Sequence, residues 1–291
     1  MGGERPPYMW ERHFPGGHRS MDPLSRPANR ELLREFCSIY RVAREGDPRR
    51  LLGQVARAFS RVPYENLTKI LSHAERGSTG AACRTPREVL GDHRRWQAGG
   101  TCFSLTATLL YLVRSLGFEA EPILADRRYG ADTHSALIVW IDHRPHLLDP
   151  GYLIVDPIPL AEDPKTLVLP TRFSELKLVP SGRDCLALYT VQQNECRYRL
   201  TFKVSPVDAS QFRRVWEASF DWEMMRAPVL TMVSGNQQLY MHGGRLQRRS
   251  QTGVHREKVP EPLLPERMAR EFGIDAHVIH QALQVLRRRG D

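Results

Sequence analysis

The apolar positions of this chain change period twice along its length. From Asn29 to Leu71 they recur every three to four residues. Leu32, Leu33, Phe36, Ile39 and Tyr40 form one stripe and Leu51, Leu52, Val55, Ala56 and Phe59 another, which predicts two amphipathic helices. The segment "EGDP" (45–48) separates them as a turn, and "VPYENL" (62–67) ends the second. In "TPREVLGDHRRW" (85–96), Thr85 stands as a helix cap, Pro86 in the first turn, and Glu88 where it completes a capping box. The apolar run behind "AGGTC" predicts a further helix that stops at Gly117.

The period then shortens to two. Short β-branched runs at 119–126, 133–141, 146–150, 152–156, 173–179, 184–191 and 196–204 predict strands of a curved antiparallel sheet or small barrel. Residues 205–220 return to helix, with Ser205 as the expected cap ahead of Pro206. Residues 227–250 predict two strands joined at "SGN", and the tail predicts one or two amphipathic helices turning at Gly273. The sequence contains no repeats.

Composition narrows the class. The chain has 291 residues, 41% hydrophobic and 26% charged, which suits a globular fold with a sizeable core. It has no apolar run of ~18 residues to span a membrane. Nothing near the N-terminus reads as a secretion signal, and a cytoplasmic protein is expected. The formal charge of +9 comes mostly from arginine and suits an anionic ligand. Because aromatics do not interleave with the arginines, nucleic acid is not an expected partner. The five cysteines are odd in number and contain no C-x-x-C pair, which argues against a disulfide framework and against a cysteine zinc site. Asp142, His143 and His146 in "DHRPH" read as a polar hairpin turn, so no metal is expected.

The chemistry gathers around Cys102. A free thiol ionises near pH ~8.5, and a helix N-terminus or a charged histidine can lower that to roughly 3.5–7.5. Cys102 sits behind Gly99, Gly100 and Thr101 and ahead of Phe103, at the mouth of the predicted helix. The glycines permit a sharp turn and leave room over the sulfur, and the adjacent backbone N–H groups can hold an oxyanion. His134 opens an apolar strand, and Asp149 follows it on the far side of a hairpin that turns near 142–145. That arithmetic brings the carboxylate near the imidazole, where it can orient the ring. Read singly, each residue also fits a structural role. Further along, "MHGGR" (241–245) offers Gly243, Gly244 and Arg245 as candidates for cradling a phosphate-bearing cofactor, with a hairpin turn as the simpler account.

Taken in order, "VPYENL", "GGTCF", "THSALIV" and "HLLDPGY" resemble the arylamine N-acetyltransferase family, over roughly residues 30–250. The segment "WEASFDWEMMRAPVLT" resembles the final domain of that family. The resemblance implies an α+β fold with an N-terminal helical bundle, a central antiparallel β-barrel or sheet and a C-terminal α/β lid. Its core would be shared with papain-like and transglutaminase-like enzymes. The expected division is a flexible arm at 1–28, the bundle with the nucleophile at 29–118 and the barrel with His and Asp at 119–204. The lid follows at 205–253 and a helical tail at 254–291. By motif, Cys102 is the nucleophile, His134 the base and Asp149 the orienting carboxylate, with Gly99, Gly100, Thr101 and Phe103 supporting the loop and the oxyanion.

The implied activity is ping-pong acyl transfer to a small-molecule amine. The donor would be an acyl thioester, acetyl-CoA or another acyl-CoA, with no tightly bound cofactor; an acyl carrier protein is a second donor class. Two departures stand out. The family carries an arginine before the glycines and a glutamate after the nucleophile, where this chain has Ala98 and Ser104. Losing both suggests a substituted support, because losing one would leave a buried charge unpaired. A transglutaminase- or papain-like amidase, a polyketide amide synthase and an inactive binding protein on the same scaffold are the alternative readings.

Overall fold

The computed structural model describes residues 24–290 apart from 44–46, 153, 161–164, 172 and 193–194. Most of the expected arm and part of the expected turn at 45–48 lie outside the described residues. The first layer is helical: α1 (Glu31–Tyr40), α2 (Pro48–Phe59), the short strand β1 (Tyr64–Glu65), α3 (Leu67–Arg76), α4 (Thr79–Ala82), α5 (Pro86–Trp96) and α6 (Cys102–Ser115). Both predicted stripes are found, except that Ile39 lies at the edge of its stripe and is 49% exposed. The capping box of α5 forms as its sequence implies. Thr85 Oγ1 accepts the Glu88 N–H at 3.3 Å, and Glu88 accepts the Thr85 N–H at 2.6 Å. The local pattern marks the end of α2 at "VPYENL" but does not delimit α3. Helix α6 is the central rod, buried without interruption from Cys102 to Leu110 and packed between the other helices and the main sheet. A helix apolar all round is what an element enclosed on both sides requires.

The main sheet is built from β2 (Glu119–Arg127), β3 (Gly130–Ile141), β4 (Arg144–Asp149), β5 (Ile154–Pro159), β6 (Leu167–Pro170), β7 (Glu175–Pro180), β8 (Cys185–Gln192) and β9 (Glu195–Lys203). Its order is β5-β4-β3-β2-β9-β8-β7-β6, and every pairing is antiparallel. Alternate residues such as Ile123, Ala125, Ala136, Ile138, Leu188, Leu200 and Phe202 fill the inner face of this curled sheet. The β3–β4 hairpin turns at Asp142 and His143, both with positive φ, as a tight two-residue connection needs.

Helix α7 (Ala209–Ala218) follows. Its cap is Asp208, which accepts the Gln211 N–H at 2.7 Å, and not Ser205 as the sequence suggested. The Val207 N–H bonds to Pro122 O at 2.9 Å, which holds the preceding segment against β2 and delays the helix. Strands β10 (Val229–Ser234), β11 (Gln237–His242), β12 (Arg245–Ser250) and β13 (Gly253–Lys258) join β1 in a second antiparallel sheet. Residues 227–250 therefore hold three strands where two were expected, because Gly243 and Gly244 fold as a hairpin turn between His242 and Arg245. Helices α8 (Leu264–Phe272) and α9 (Ala276–Gly290) turn at Gly273 and contribute Met268, Phe272, Ile279 and Ala282 to a core with Leu230, Leu239, Met241 and Leu246. Among the described residues no helix is long and apolar enough to cross a membrane.

Candidate active site

Cys102 is the first residue of α6 and is 3% exposed. Thr101, the N-cap residue, makes no side-chain cap hydrogen bond. The first N–H groups of a helix have no partner within it, so those at the mouth of α6, where Cys102 sits, are left without a capping side chain. Together they carry a partial positive charge of about +0.5, which favours an anion there.

His134 and Asp149 are both fully buried. The register of β3 against β4 pairs Leu137 with Leu148, so Asp149 ends its strand close to the start of β3. His134 Nε2 donates to Asp149 Oδ2 at 2.8 Å. The other carboxylate oxygen accepts the N–H of Gly151 at 2.7 Å and of Tyr152 at 3.2 Å, so the carboxylate is fixed from both sides. Gly151 is required by this packing: a Cβ there would stand 2.7 Å from His134 Cε1.

With Nε2 turned to Asp149, Nδ1 is the free ring nitrogen; Arg127 Nη2 lies 3.0 Å from it, and the Cys102 thiol is within hydrogen-bonding reach of the imidazole. Burial alone would push the thiol up. The bond to His134, its charge and the nearby Arg127 and Lys69 outweigh burial and hold Cys102 below the usual thiol range. Burial likewise favours the neutral imidazole, but the Asp149 charge and hydrogen bond prevail and raise His134 above its ordinary value. A depressed thiol beside a raised imidazole shifts the pair toward thiolate and imidazolium, the form in which a cysteine is nucleophilic.

Two cations near the thiol were not picked out from the sequence. Arg127 Nη2 lies 3.0 Å from His134 Nδ1, and Nη1 donates to the Tyr129 hydroxyl at 2.6 Å. Alternation gave a usable signal for it, since Arg127 continues the inward-facing series Ile123, Ala125 on β2. Lys69, 5% exposed, donates to Ser219 O at 2.9 Å and to Ser219 Oγ, and its ammonium lies 4.3 Å from the Phe220 ring centroid. Burial pushes its pKa down to about 7, against the opposing pull of Cys102.

The glycine loop is pinned by charged groups from elsewhere in the chain. Buried Glu65 accepts the Gly99 N–H at 3.1 Å, while buried Arg84 donates to Gly99 O at 2.7 Å and pairs with Asp92 at 2.5 Å. Thr68 bridges Glu65 and Arg84. Gly100 donates to Pro63 O at 3.2 Å and accepts the Glu65 N–H at 3.0 Å. Ala98 and Ser104 therefore coincide with a support that arrives through Arg84, from the segment between α4 and α5. Gly99 is held so tightly that a Cβ would fall 1.8 Å from Pro63 O. Phe103 packs against Phe212 at 5.3 Å and Trp222 at 6.0 Å, anchoring α6 behind the thiol.

The other sequence candidates make their contacts away from this cluster. Gly243 and Gly244 bond to Pro228 and Val259 within the second sheet and its flank, and Arg245 pairs in register with His242 and Lys258. Among the described residues no group of three or more His, Cys, Asp or Glu could hold a metal ion.

A family model described as N-acetyltransferase matches residues 50–280. The fold is similar to an arylamine N-acetyltransferase from Mycobacterium abscessus, with a TM-score of 0.73, 18% identity, and coverage of 87% of this chain and 94% of that one. The Mycobacterium marinum arylamine N-acetyltransferase in complex with CoA gives a TM-score of 0.70, 18% identity, and coverage of 88% and 97%. A Bacillus cereus arylamine N-acetyltransferase described as having a Cys-His-Glu catalytic triad gives a TM-score of 0.66, 14% identity, and coverage of 84% and 99%. A search of curated proteins finds no match.

Proposed function

This chain belongs to the arylamine N-acetyltransferase family, and from that membership we propose that it moves an acetyl group from acetyl-CoA to an aromatic amine through an acyl-enzyme on Cys102. The observation that carries the reading is Cys102 at an uncapped helix start within reach of His134, whose imidazole is bonded to Asp149 at 2.8 Å. The Cys102 thiolate attacks the thioester carbonyl carbon, and the oxyanion points into the free N–H groups of α6. The carbon–sulfur bond to the donor then breaks. The departing thiolate takes the imidazolium proton, leaving an acetyl thioester on Cys102 and a neutral His134. An amine attacks that thioester, His134 accepts its proton, and the Cys102 thiolate leaves as the amide forms.

Asp149 stabilises the imidazolium during both halves and keeps Nδ1 aimed at the sulfur. The carboxylate here is an aspartate, where the Bacillus cereus protein has the Cys-His-Glu arrangement. Arg127 and Lys69 add positive potential around the thiolate. Steady-state kinetics with acetyl-CoA and an arylamine test the reading. Double-reciprocal lines should stay parallel as the amine is varied; lines that intersect would show a ternary complex and rule out the acyl-enzyme.

A further inference from the structure

The second concentration of charge lies away from the thiol, in a cleft of about 220 Å³ between the β8–β9 hairpin and the β12–β13 hairpin. On β8 and β9 the residues that face it are two apart, as strand alternation requires. Arg197 and Arg199 come from β9, Arg249 from β12 and Arg256 from β13. The one carboxylate in the lining, Glu195, is bonded to Arg197. Gln192 Nε2 donates to Ser250 O at 2.7 Å and ties the two hairpins together.

The cleft contains donors that no described residue satisfies. Arg199 Nε bonds to Thr190 Oγ1 at 2.6 Å, but its buried Nη2 has no partner among the described residues. Arg249 is 9% exposed, and its buried Nε has none either. Leaving a buried donor unmade costs about 1–3 kcal/mol, more when the group is charged. Burial and the neighbouring arginines push Arg249 down to about 10 and lower Arg199 as well. Crowded, underbonded guanidiniums around a cavity form a site suited to an anion. The fork geometry of guanidinium matches phosphate oxygens in pairs.

Tyr152 relates the cleft to the catalytic group. The Tyr152 ring stands edge-on to His134 at 5.4 Å, and its hydroxyl is within electrostatic reach of both Arg199 and Arg249. We propose that the arginine cleft is a phosphate site that holds the phosphate groups of the acyl donor while its thioester reaches Cys102. This rests on the acyl-thioester reading above. CoA and the phosphopantetheine of a carrier protein share this chemistry.

The test compares Arg249→Gln, and the exposed double variant Arg197→Gln/Arg256→Gln, with the unmodified protein on two acyl donors. With acetyl-CoA, KM should rise about tenfold or more, equivalent to ~1.4 kcal/mol of donor binding. With p-nitrophenyl acetate, which has no phosphate, the acylation rate should be unchanged. Unchanged KM for acetyl-CoA, or equal losses on both donors, would overturn the site. Inorganic pyrophosphate binding, followed by calorimetry, reads the cleft without catalysis: it should be measurable in the unmodified protein and lost in Arg249→Gln. Absence of pyrophosphate binding would also overturn the proposal, whereas failure of p-nitrophenyl acetate to acylate the unmodified protein would count against the acyl-enzyme alone. Sensitivity confined to acetyl-CoA identifies the nucleotide as the phosphate source; equal sensitivity with an acetylated carrier protein identifies the phosphopantetheine phosphate.

Discussion

Replacing Arg84 by alanine tests how the nucleophile loop is held. Arg84 and Asp92 are 5% and 6% exposed in their side chains, and the guanidinium also holds Gly99 O and the Thr68 hydroxyl. The substitution leaves Asp92 buried without its partner and Gly99 without its donor. Breaking a buried pair from one side costs about 3–5 kcal/mol, several times what an exposed pair is worth. Burial already outweighs Arg84 enough to push Asp92 up to about 6, and without Arg84 it rises further. The variant's deficit should therefore be largest where Asp92 would be ionised, narrow as pH falls toward 6, and stay level below it.

Two measurements check this. Urea unfolding at several pH values gives the stability loss, and rapid-mixing acylation by p-nitrophenyl acetate gives the catalytic one. Because a ~1 Å misplacement of a reacting group can cost about 10²-fold, the acylation rate should fall by that order even where the protein remains folded. A stability loss below ~1 kcal/mol together with an unaltered acylation rate would refute the idea that Arg84 carries the loop.

Three further substitutions probe the same centre. Gly99→Ala drives a Cβ into Pro63 O, so acylation should drop about 10²-fold with circular dichroism near that of the parent; full activity would contradict the tight approach. Asp149→Asn keeps a side chain of the same shape but can no longer stabilise the imidazolium, and kcat should fall by about 10⁴, whereas a loss under tenfold would remove Asp149 from the mechanism. In iodoacetamide alkylation followed by peptide mass spectrometry, Cys102 should ionise below the usual thiol range and lose reactivity as pH falls through its lowered pKa. Lys69→Met should move that profile upward, and an unmoved profile would show that Lys69 does not act on the thiol.

The sequence made local features legible and hid those that depend on contacts between distant segments. Thr85 and Glu88 are three residues apart, so the capping box could be read directly, and hairpin arithmetic was enough to bring Asp149 to His134. A hairpin turn at Gly243–Gly244 is legible in "MHGGR", but the apolar run on either side of it still reads as one strand, which is why three strands stand where two were expected. Ser205 looked a better helix start than Asp208 because the bond from Val207 to β2 leaves no mark in the local sequence. Ala98 and Ser104 suggest a substituted support, but the hold of Arg84 on Gly99 O leaves no local mark, since nothing nearby in the sequence distinguishes Arg84 from a surface arginine. Lys69 was hidden for a similar reason, as a lysine beside Leu67, Ile70 and Leu71 reads as the polar face of α3 until Ser219 and Phe220 cover it.

The central claim is that Cys102 carries the acetyl group. Intact-mass spectrometry after brief mixing with acetyl-CoA, with Cys102→Ala alongside, tests it most directly. The account predicts one acetyl adduct on the unmodified protein, none on Cys102→Ala, and disappearance of the adduct when an arylamine is added. A protein that acetylates the amine with no adduct at any time, or an adduct that persists in Cys102→Ala, would contradict it.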